Sequence, residues 1–188
     1  MTCSSASRTA LHTALFAAAM LTLPTAWSQD LIGKADFEAG KTRIEADYKA
    51  DRSACSQLAG NGRDICIEQA KGREKVGHAE LEFRYSGKPA DANRVLVVRA
   101  ESNYAVAREK CDDRAGNEKD VCVREAKAAE VKALTDARVI RQIDEARSDA
   151  ADDVRNADYR VATEKCDALS GDAKTSCLAA AKSRFHKL

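Results

Sequence analysis

Apolar residues recur along most of this chain at intervals of three and four, the period of one helix face rather than of a strand. Val97, Ala100, Tyr104, Ala107 and Cys111 form the clearest stripe. It carries the 3,4 spacing of a narrow packed seam. The run Val95-Leu96-Val97-Val98 would read as a strand in isolation, but the stripe through Val97 makes helix the better reading. Ser86-Gly87-Lys88-Pro89 is one clear break, with Asp91 a candidate cap for the next helix. The pattern predicts helices over 31–59, 63–85, 92–115 and 173–185. Between Glu118 and Leu169 there is neither glycine nor proline. That span is either one helix about 75 Å long, at 1.5 Å per residue, or two helices hinged near Ser148.

The cysteines place a repeat on this pattern. They fall as Cys55 with Cys66, Cys111 with Cys122, and Cys166 with Cys177, each pair framing the same ten-residue interval. Self-similarity at a fixed period identifies a duplicated unit. Tyr48, Tyr104 and Tyr159 each stand seven residues before a first cysteine. Gly60, Gly116 and Gly171 each stand five after one, followed by Asn61, Asn117 and Asp172. Ala-Lys pairs recur beyond each second cysteine, at Lys71, Lys127 and Lys182. The physical reading is a helical hairpin. The glycine suits the left-handed position that ends a helix, and the Asn or Asp suits the N-cap of the next, with Asp64, Asp120 or Thr175 as its reciprocal cap. A cysteine on either side of such a corner faces its counterpart on the other helix, so disulfides within each hairpin are expected. Closing each loop contributes roughly 3 kcal/mol.

Residues 1–28 change the arithmetic. Arg8, the apolar run from Ala14 to Leu23, the break at Pro24 and the small residues of Ala26-Trp27-Ser28 read as a secretory leader cleaved before Gln29. The run is too short to anchor the chain in a bilayer, so no transmembrane anchor is expected after cleavage. Cys3 precedes the apolar run and is no acylation site. A periplasmic or secreted protein is expected, in a compartment where six cysteines act as staples. From position 29 on, Leu, Ile, Val and Phe together number 28, against 29 alanines. Such a chain cannot build a thick core but can zip narrow helices together.

Charge excludes some partners and the spacing excludes most chemistry. With 31 basic and 30 acidic residues evenly mixed, no basic face is left to bind nucleic acid. Cysteines ten residues apart, with no strand pattern, do not make a thioredoxin-like redox pair. As metal ligands they would need soft or imidazole company, and after the leader only His78 and His186 remain. Glu109, Lys110 and Asp112 beside Cys111 read as a solvated helix face rather than a catalytic cluster. No nucleophile elbow or phosphate loop is present. No enzyme, cofactor or metal is expected. The tyrosines read first as rings covering disulfide and seam, and second as a ladder for a partner or a glycan.

The segments Tyr104-Ala-Val-Ala-Arg-Glu-Lys-Cys111-Asp and Gly116-Asn-Glu-Lys-Asp-Val-Cys122-Val-Arg-Glu-Ala126-Lys127 resemble exported proteobacterial cysteine-repeat helical proteins without an assigned activity. Some of these are labelled cell-envelope or TolA-like. The resemblance runs over residues 48–185 and implies the compartment and the helical class. It does not carry a Tol-system role, because TolA-like proteins have an uncleaved anchor and a globular C-terminal domain. The expectation is therefore an all-α protein of three tandem antiparallel helical hairpins, each clamped by a disulfide, elongated or loosely bundled. A leader over 1–28 precedes hairpins over 29–86, 91–147 and 148–188. Its expected role is a non-catalytic envelope or interaction module, with a homodimer or a helical protein as partner. The alternative is a periplasmic small-ligand or metal binder linked to envelope stress.

Overall fold

A computed structural model describes residues 31–187. The expected leader, with Cys3 in it, lies outside the described residues. The chain forms five α-helices and, among the described residues, no strand. They are α1 (Lys34–Cys55), α2 (Gly60–Ser86), α3 (Pro89–Lys110), α4 (Gly116–Cys166) and α5 (Gly171–Arg184), with a 3₁₀ turn at Cys111–Asp113 between α3 and α4. Each helix packs on the one before it and the one after it, so the helices form a row that folds back and forth. Three disulfide-clamped hairpins, α1–α2, α3–α4 and α4–α5, make up that row.

Small residues let the helices approach closely. A Cβ at Gly40 of α1 would lie 2.6 Å from Leu81 Cδ1 on α2, and one at Gly72 of α2 would lie 3.2 Å from Ser102 Cβ on α3. The buried apolar set is correspondingly thin: Ala70, Ala79, Leu81, Val95, Ala100, Ala126, Ala137 and Ala181 with three half-cystines. The largest fully buried side chains are Cys55, Cys111 and Cys166. A single row buries each inner helix on two narrow strips and each end helix on one, and alanine is the side chain that fits them. The disulfides are thus the centre of the core as well as its staples.

The α2–α3 break falls where the sequence places it. Gly87 adopts φ 65°, its N–H donates to the Phe83 carbonyl, and Pro89 opens α3. Left-handed glycine ends one helix and proline begins the next. Asp91 does not cap α3. The N-cap is Lys88, and the Asp91 carboxylate accepts a 2.5 Å hydrogen bond from the Ser86 hydroxyl instead. At the same end of the row the Ile32 N–H donates to the Arg84 carbonyl, and Phe37 stacks on Tyr85 with ring centres 4.5 Å apart. These contacts tie the start of α1 to the end of α2.

Residues 116–166 form one unbroken helix, without a hinge at Ser148. At 1.5 Å per residue it is about 75 Å long; its 51 residues compare with 22 in α3 and 14 in α5, the helices beside it. Asn93 Nδ2 donates to the Ala137 carbonyl at 2.6 Å, marking where the start of α3 meets α4. Lys187 donates to Asn156, marking where the chain beyond α5 meets it. Between those points every residue of 138–155 is exposed except Asp144, which is half-buried. This bare span is about 27 Å long.

Candidate functional site

The three corners are copies of one geometry. In each, the N–H three residues beyond the first cysteine donates to that cysteine's carbonyl: Leu58 to Cys55, Arg114 to Cys111 and Leu169 to Cys166, at 3.1, 3.0 and 3.0 Å. One extended residue comes next (Ala59, Ala115, Ser170), then glycine at φ 54°, 55° and 55°. The second cysteine then faces the first, with Cα–Cα distances of 5.5, 5.7 and 5.7 Å in Cys55–Cys66, Cys111–Cys122 and Cys166–Cys177. Those separations sit in the ordinary range for a bridge. Three disulfides fit maturation in an oxidising compartment.

The turn residues hold different posts from those expected. Gly60, Gly116 and Gly171 do not close the preceding helix; they open the following one. Four residues separate the helices at the first and third corners and five at the second, not two, because the chain tightens into a 3₁₀-type turn over the cysteine before it reverses. A Cβ at any of the three would meet nothing within 4 Å. The requirement is therefore the left-handed backbone itself, which glycine adopts without penalty. Asn61, Asn117 and Asp172 lie one residue inside their helices, none of which has a side-chain cap. Asn61 Nδ2 instead donates to the Glu109 carbonyl at 3.1 Å, fastening the first corner to the end of α3. Thr175 donates to the Gly171 carbonyl rather than capping an N–H.

Ion pairs close two corners. Lys119 Nζ lies 2.7 Å from Asp112 and Lys174 Nζ lies 2.9 Å from Asp167. The first corner has Ser56 and Arg63 at the same places, where that pair cannot form. The hydrogen bond from Lys119 holds the Asp112 carboxyl below the usual carboxylate value.

Tyr48, Tyr104 and Tyr159 are all half-buried on the seam side of their helices. Their neighbours differ. Tyr48 accepts a hydrogen bond from Arg52 at 3.2 Å, Tyr104 has the Lys127 ammonium 5.0 Å from its ring centre, and Tyr159 meets Phe185 edge-on at 6.1 Å. Lys71 and Lys127 are raised above the ordinary lysine value, first by hydrogen bonds to Glu68 and Glu130. Tyr48 and Tyr104 add smaller contributions in the same direction.

Two buried polar residues stand outside the expected set. Glu130 lies in the α3–α4 seam, its side chain 8% exposed and paired to Lys127 at 2.6 Å. Its spacing of four from Ala126 puts it on the packed stripe, so the sequence carries that signal. Ser102 is buried with its hydroxyl unpartnered. It faces an open groove of about 820 Å³ between α2 and α3, lined by Gly72, Val76, Val106 and Ala107 among others. Among the described residues, no three His, Cys, Asp or Glu side chains gather where they could hold a metal ion. No helix there is long and apolar enough to cross a membrane.

No protein-family model, no curated protein and no solved structure matches this chain.

Proposed function

We propose that this chain is an exported, non-catalytic module of the cell envelope that acts by holding or joining proteins. The observation that carries the reading is the bare span of α4. A helix buried on neither strip over 138–155 leaves Val139, Ile140, Ile143 and Val154 between 43% and 63% exposed. Among the described residues, seven of the eleven exposed large hydrophobic side chains lie on α4. Apolar side chains gathered on one element mark an interaction surface more often than chance scatter does. The disulfide-clamped hairpins at each end make the span a rigid presenting rod, and the balanced charge argues against nucleic acid as the partner.

A photo-reactive residue at position 143, introduced into the chain in its native envelope, tests this. Protein adducts from 143, and none from 152 on the opposite side of α4, are expected. Adduct-free chains at both positions would overturn the module reading. The second reading, a small-ligand binder, has the α2–α3 groove and its orphaned Ser102 hydroxyl in its favour. It requires a compound that raises the melting temperature of the wild-type chain and not of a groove-filled variant.

A further inference from the structure

From Ile140 to Val161 the exposed face of α4 follows a strict three-four alternation: Ile140, Ile143, Arg147, Ala150, Val154, Ala157, Val161. This is the spacing of a two-helix seam. The stripe lies about a quarter-turn around α4 from Ala126, Ala137 and Cys166, the side covered by α3 and α5, at about 100° per residue. It is therefore open with the whole chain folded. We infer that it receives the same stripe of a second copy of this chain, running antiparallel, with the two-fold axis passing between Ser148 and Asp149. The inference rests on the module reading and names its partner.

The seam is complementary to its own reverse. In that register Ile140 packs on Ala157, Ile143 on Val154 and Arg147 on Ala150, a large side chain against an equal or smaller one in each layer. Across the flanks Val139 meets Arg160, Ala146 meets Asp153 and Asp144 meets Ala151. No like charges face each other, and Arg147 of one copy lies beside Asp153 of the other. The alternatives are disfavoured by charge. A parallel pair would set Arg147 against itself, Asp153 beside Asp158 and Arg160 beside Lys165. Sliding the antiparallel pair by one repeat sets Asp144 against Asp144, or Asp153 against Asp153. Like charges directly apposed select against a register more strongly than matched charges favour one.

Light scattering on the purified, oxidised wild-type chain should show a mass rising from one copy to two across the micromolar range. Ile143→Asp should remain a monomer with unchanged helical circular dichroism. Arg147→Asp and Asp153→Arg should each weaken association about 10-fold, and the two together should recover most of it. A photo-reactive residue at 140 should attach near residue 157 of the other copy. A wild-type monomer throughout, a dimer indifferent to Ile143→Asp, or a doubly exchanged chain no better than either single variant would overturn the inference. If the chain stays monomeric while position 143 still forms adducts with a different envelope protein, the second copy is wrong and the module reading stands.

Discussion

Lys127 holds its ammonium 5.0 Å from the centre of the Tyr104 ring, across the seam that the Cys111–Cys122 bridge closes one corner away. The ring comes from α3 and the lysine from α4, five residues past the second cysteine. Between them they cover the seam near the bridge, among alanines and beside the buried Glu130 that pairs with Lys127. Replacing Tyr104 by Ala strips that cover and should lower unfolding stability by about 2 kcal/mol in chemical denaturation. Tyr104→Phe keeps the ring and should fall within about 0.5 kcal/mol of wild type.

The three bridges should not be equivalent. The hairpins of α1 to α4 are packed side by side, whereas α5 is a 14-residue helix lying on α4 alone. A helix of that length is marginal without tertiary support. Cys166→Ser with Cys177→Ser should release α5, so that hydrogen exchange accelerates over 171–184 and stays slow over 60–110. Removing Cys55–Cys66 should lower the cooperative melt of the whole row instead, by about 3 kcal/mol.

Glycine separates backbone need from spatial need. Gly116→Ala forces a left-handed alanine and should cost about 1 kcal/mol, although nothing occupies the space its Cβ would take. Gly62 has equally open space and no left-handed backbone. Gly62→Ala should therefore stabilise by about 0.5 to 1 kcal/mol. Thermal melts of the two variants should move in opposite directions.

Acid should loosen the second corner through Asp112. Its folded-state value is depressed by Lys119, so its contribution is present above the unfolded carboxylate value and is lost as pH falls through the folded one. Lys119→Met should move the Asp112 carboxyl titration, followed by carbon NMR, back up toward the ordinary range. Lys127 behaves in the opposite sense. Its value is raised by Glu130, so its contribution is complete below the unfolded lysine value and disappears as pH climbs through the folded one.

The hairpins were legible because cysteine, glycine and tyrosine recur in register, and a repeated spacing constrains geometry three times over. What the repeat does not encode is the post that each turn residue takes. Glycine five residues after a cysteine fits a helix end and a helix start equally well, and only the 3₁₀ tightening over Cys55, Cys111 and Cys166 decides between them. The packing of hairpin on hairpin was not legible at all. It depends on Gly72 against Ser102, two residues that a pattern of apolar positions passes over, and on Asn61 reaching the Glu109 carbonyl. The continuity of α4 was open because the absence of a breaker permits a long helix without requiring one.

Peptide mapping of the purified chain without reduction tests the central claim most directly. The account predicts three cross-linked peptide pairs, Cys55 with Cys66, Cys111 with Cys122 and Cys166 with Cys177, and no free thiol among those six. A bridge joining one hairpin to another, or a pair found as free thiols in the oxidised protein, would contradict it.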